Sequence, residues 1–97
     1  MKGKQQTVEY AITKIEQACQ RMKKRENYMQ EMPECVSAIN DAMMLLLNEK
    51  NCNQEQILTL LEDIMYGMSQ RDDVFLLDVL RFGLMPGLQE YYHQLGN

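Results

Sequence analysis

The sequence has no tryptophan, one histidine and two prolines in 97 residues. With His93 alone, no multi-histidine metal centre can form within one chain, and no Cys–His signature surrounds any of the three cysteines. Those cysteines, Cys19, Cys35 and Cys52, make an odd number without a CxxC spacing. They read as free thiols of a reducing compartment rather than a disulfide framework. Ser37 and Ser69 stand in no G-x-S-x-G context, and neither G-x-x-x-x-G-K nor G-x-G-x-x-G occurs, so acyl-transfer and phosphate-cradling motifs are missing. Strand-like alternation of useful length is absent, as are Asn-Gly and Asp-Gly hairpin turns. The longest apolar run covers only residues 42–47, against the roughly 20 residues that a membrane span needs. The polar start leads straight into a mixed helix rather than a signal sequence. These absences predict a cytoplasmic protein with no cofactor, no nucleic acid and no membrane among its partners.

Methionine is abundant, with nine residues. Met is flexible and polarizable, so it serves either as core filler or as the lining of an adaptable groove for a partner helix. With only two phenylalanines and five tyrosines besides, Leu, Ile, Val and Met must supply most of the driving force for folding. A chain of this length forms one domain, here 1–97, which buries only about 60–65% of the surface that its unfolded state exposes.

Charge is divided along the chain. Residues 1–25 carry a balance of +5 and residues 26–97 a balance of −9, giving the net −4. A basic first helix docked along an acidic remainder, within the chain or across a dimer, follows from this split. The basic cluster at 21–25 reads as a solvated helix end that complements the helix dipole.

Helical periodicity runs throughout. The first helix is predicted over 6–25, with Thr7 as N-cap and Val8, Ile12, Ile15, Cys19 and Met22 as its buried stripe. For the second helix two starts compete. Asn27 with Gln30 makes a capping box, but Pro33 would then clash with the Met29 carbonyl. A start at Pro33 avoids that clash and is preferred. Val36, Ile39, Met43, Leu46 and Leu47 then mark its buried face, with Met44 and Leu45 apolar on further sides. Asn53 and Gln56 box the third helix, whose stripe is Ile57, Leu60, Leu61, Ile64 and Met68, widened by Leu58 and Met65. The fourth opens at Asp72 or Asp73 and follows Leu77, Leu80, Leu84, Leu88, Tyr91 and Leu95. Leu76, Val79 and Phe82 give it a second apolar flank, and Pro86 should bend it. The predicted fold is all-α: a small antiparallel bundle of three to four helices with the last kinked at Pro86.

Glu90 and His93 form an E-x-x-H pair, the spacing used in di-iron bundles. Completing such a site takes a symmetric dimer, and a solvated surface pair is the simpler reading. Asp72, Asp73 and Asp78 read as caps and as a partner for Arg81. Tyr91 reads as core closure, leaving Tyr92 free for an interface.

The segment DDVFLLDVLRFGLMP at 72–86 resembles the tail of a group of short all-helical bacterial proteins. Arg81 and Gly83 stand where that group has acids. The resemblance implies a helical fold and carries no chemistry. In size and helicity the chain is also similar to the small export chaperones of bacterial flagella, with no motif to transfer. The function expected is a non-enzymatic protein–protein interaction module, an adaptor or chaperone-like homodimer. Met43, Met44, Met65, Met68, Leu76, Phe82 and Tyr92 would contact a partner helix or a second copy. A metal or catalytic site at a dimer seam around Glu90 and His93 is the alternative.

Overall fold

The structure, a computed structural model, describes residues 3–24, 28–49 and 54–96. The expected caps Asn27 and Asn53, together with Arg25 and Cys52, lie outside the described residues. Within them the chain is all-helical. Helix α1 spans Gly3–Lys23, α2 Met32–Leu47 and α3 Gln54–Gln70. The fourth predicted helix is a composite of α4 (Asp73–Asp78), a π-helical segment (Val79–Leu84) and α5 (Met85–Gly96).

Helix α1 starts before the expected cap. Thr7 lies inside it, and its hydroxyl donates to the Gly3 carbonyl at 2.6 Å, one turn back. A threonine satisfied that way need not end a helix. The predicted stripe is buried except for Ile12, which is half-buried, and it is joined by Ala11 and Ala18. Facing them on α2 are further buried alanines, Ala38 and Ala42. Small residues on both sides let two helix axes approach closely, and α1–α2 is the most extensive packing in the molecule. Two ion pairs border this interface, Lys14–Glu34 and Arg21–Glu31, each at 2.9 Å. The basic helix therefore docks on acids of the chain itself.

Helix α2 begins beside Pro33, as the second of the two starts requires, with Glu31 at the N-cap. Glu31 caps with no side-chain bond and gives its carboxylate to Arg21 instead. Its buried face is Met32, Cys35, Ala38, Ile39, Ala42 and Met43, whereas Val36, Leu46 and Leu47 are only half-buried.

Helix α3 ends sharply although no glycine follows it. Arg71 takes the left-handed conformation, φ 51°. Its N–H bonds to Met68 O at 3.2 Å, and the Asp72 N–H bonds to Gly67 O at 3.0 Å. This is the bonding of a Schellman motif, whose left-handed position ordinarily holds glycine. A side chain with a Cβ there costs about 1–2 kcal/mol, partly offset by a stiffer unfolded chain. Arg71→Gly should therefore stabilise the fold by about 0.5–1 kcal/mol in urea titration. A variant no more stable than the parent would contradict this account of the stop.

Asp72 then caps α4, accepting from the Phe75 N–H at 3.1 Å. Nearby, the Tyr28 hydroxyl donates to Asp73 Oδ1 and fastens the α1–α2 connection to the first turn of α4. Burial, then this bond, pushes the Tyr28 phenol up to about 12.

The π segment sits directly before Pro86. Proline brings no N–H to the ladder, and the preceding turn is wide, with the Met85 N–H bonded to the Leu80 carbonyl five residues back. Leu76, Leu80, Leu84 and Leu88, spaced by four throughout, are all fully buried. In a straight α-helix each step of four drifts by about 40°, so such a row slides off one face. A wider turn resets that drift and keeps the four leucines on the core. Phe82, expected on a second apolar flank, is 68% exposed. Arg81 lies over its ring at 5.5 Å and forms no ion pair with Asp78.

Candidate interaction surface

Helix α3 is held less firmly than its neighbours. It packs on α4 and the π segment, and only Ile57, Ile64 and Gly67 are buried on it. Gly67 permits the close approach: a Cβ there would lie 2.8 Å from Leu76 Cγ. Tyr66 adds an edge-to-face contact with Phe75 at 5.9 Å.

Ile57, Leu60, Ile64 and Gly67 repeat at three, four and three, and they face the core. Leu58, Leu61, Met65 and Met68 repeat at the same spacing, one position further along. One position rotates a helical row by about 100°. The second row thus forms an adjoining seam, half-buried at Leu61 and Met68 and open at Leu58 (51% exposed) and Met65 (62% exposed). On its outer side stand the exposed acids Glu55 and Glu62, and α3 contains no Lys, Arg or His.

The seven residues expected at a partner site divide accordingly. Met65 and Met68 fall together on this seam. Met44 and Phe82 are exposed but lie on α2 and the π segment. Tyr92 is half-buried against the core. Met43 (2% exposed) and Leu76 (fully buried) belong to the core and are not open contact residues. For Leu76 the reason is the wide turn after it, which keeps it in one row with the buried Leu80, Leu84 and Leu88 while Phe82, of the same supposed flank, stays exposed. For Met43 it is its place one turn after Ile39 on the buried face of α2, beneath the side chains of α3 and α5. Leu58 and Leu61 were the missed members, and their heptad-like spacing was the available signal.

A cleft of about 670 Å³ opens between the end of α2, α3, the π segment and α5. Ile57, Leu60, Leu84 and Leu88 line it apolarly, and Met43 lies at its floor. At the rim, the Tyr91 hydroxyl donates to Glu49 Oε1 at 2.8 Å. Burial, then that bond, pushes the Tyr91 phenol up to about 12. Tyr91 closes the core as expected.

No family model, curated protein or solved structure matches this chain. The surface is therefore read from its own chemistry. Glu90 and His93 are both exposed on α5, where His93 meets Tyr92 edge-on at 6.0 Å. Among the described residues no three His, Cys, Asp or Glu side chains converge on a point that would hold a metal ion. Cys19 and Cys35 are buried, and burial raises the pKa of both thiols, that of Cys35 to about 12. Of the basic cluster, Arg21 is engaged by Glu31, while Lys23 and Lys24 are exposed. Among the described residues no helix is long and apolar enough to cross a membrane.

Proposed function

We propose that this chain is a non-enzymatic protein–protein interaction module, a helical adaptor or chaperone-like bundle that covers its α3 seam with a partner helix or a second copy. The observation that supports this is the doubled stripe on α3, whose second row is covered only in part: Leu61 and Met68 pack against the core, while Leu58 and Met65 are open. Apolar surface left in water gains about 25 cal/mol per Å² when a partner covers it, and the flexible Met65 and Met68 let the seam adapt to more than one partner shape. In this reading α1 and α2 run antiparallel, a course favoured by the reversed order of the ion pairs, 14 with 34 and 21 with 31. The last helix bends round the core at Pro86. The buried thiols suit a reducing cytoplasm.

The test exploits the exposure of the outer row. A Leu58→Lys/Met65→Lys variant replaces two exposed side chains, so its stability should stay within about 0.5 kcal/mol of the parent for each substitution. Proteins captured by the parent chain should be lost by this variant and kept by Val74→Lys, a control at another exposed apolar residue. Capture of the same proteins by all three would sink the reading. Light scattering on parent and variant separates a foreign partner from a second copy.

A further inference from the structure

We infer that the occupant of the α3 seam is a basic amphipathic helix of another protein, and not a second copy of this chain. The inference rests on the seam reading above and adds the chemistry of the partner. With Leu58 and Met65 as a positions and Leu61 and Met68 as d positions, Glu55 and Glu62 occupy successive e positions. The g positions, Ile57 and Ile64, are buried in the chain's own core. Charges flanking such a seam set partner choice, and here the flank is acidic on the one side open to solvent. Among the described residues neither Glu55 nor Glu62 meets a cation, the ion pairs there being Lys14–Glu34 and Arg21–Glu31.

A second α3 laid antiparallel would set e against e, carboxylate against carboxylate. Laid parallel, it would set those carboxylates against Ile57 and Ile64, which are already enclosed. The chain's basic helix is no substitute. In α1 the apolar residues Val8, Ile15 and Met22 are spent inside the molecule, so the basic helix of a second copy has no apolar row to lay on the seam, only Tyr10 and part of Ile12. A foreign helix with Leu, Ile or Met on its seam and Lys or Arg beside it satisfies both demands.

The experiment uses the full chain and three synthetic helical peptides that share one Leu seam and differ only in flanking residues: Lys, Gln or Glu. Binding is followed by fluorescence anisotropy at low and at high salt. The Lys peptide should bind about ten-fold more tightly than the Glu peptide at low salt. That preference should collapse at high salt and in Glu55→Gln/Glu62→Gln, a variant confined to exposed side chains. Equal binding of Lys and Glu peptides, both lost in Leu58→Lys/Met65→Lys, would overturn the charge inference and leave the seam standing. No binding of any peptide would overturn both. A stable dimer of the parent that the Leu58→Lys/Met65→Lys variant dissolves would replace the foreign helix with a second copy.

Discussion

Gly67→Val should lower the unfolding free energy by about 2 kcal/mol. An added Cβ would sit 2.8 Å from Leu76 Cγ and 3.2 Å from Phe75 Cδ2, and Leu76 is fully enclosed. Its Cγ is a branch point rather than a flexible end, so relief requires α3 to move off α4. The higher helix propensity of a residue with a side chain returns only a few tenths of a kcal/mol for Val. Leu76→Ala alone should cost about 2–5 kcal/mol by leaving a hole in the core. Combined, the two changes should cost less than their sum by about 1 kcal/mol or more, because each creates what the other needs. Strict additivity in urea titrations would show that the α3–α4 contact is not made at this point. Gly87→Val supplies the contrast: nothing lies within 4 Å of a Cβ there, so it should change stability far less.

The second large effect is alkaline. Cys35 has an ordinary value of 9.0, and burial, reinforced by the neighbouring Cys19, pushes it up to about 12. The folded chain therefore holds this proton more tightly than the unfolded one. The resulting stability is complete below pH 9 and is lost as pH climbs toward 12. Tyr28 and Tyr91, raised from 10.0 to about 12 by burial and by their carboxylate acceptors, add to the loss from pH 10 upward. The melting temperature should be level from neutral pH to about pH 9, then fall with a slope that steepens beyond pH 10. Cys35→Ala should flatten the first part of that fall. At pH 8 the native Cys35 thiolate is much scarcer than in an unfolded chain, and alkylation by iodoacetamide should be correspondingly slow. Rapid labelling of Cys35 in the native protein, or a melting temperature unchanged to pH 11, would contradict the burial of this thiol.

Most of the helical layout was legible because its signals are local. Pro33 announces the start of α2, and Asp72 that of α4. The four-residue spacing from Val8 through Ile12, and on from Ile15 to Cys19, marks one face of α1. What escaped the reading depends on neighbours. Ala11, Ala18, Ala38 and Ala42 say little by hydrophobicity, yet their smallness is what lets α1 and α2 close on each other. Leu76, Leu80, Leu84 and Leu88 carried the mark of the π segment in their unbroken spacing of four, but an α-helical template assigns Leu76 to the wrong flank. Arg71 gives no hint of a left-handed stop, since glycine is the residue that advertises one. The partner surface was half legible. Leu58 and Met65 were recognisable as apolar positions beyond the stripe, and Met65 and Met68 as contact residues, whereas Leu61 and Met68 part from the buried stripe only once the row at 57, 60, 64 and 67 is known to face inward.

The bond from Tyr28 to Asp73 joins residues 45 positions apart. It gathers the two feet of the excursion formed by α2 and α3 and ties them at one place. A helix docked on α3, as proposed above, would therefore load a loop whose two ends are already linked, by a bond worth about 1 kcal/mol.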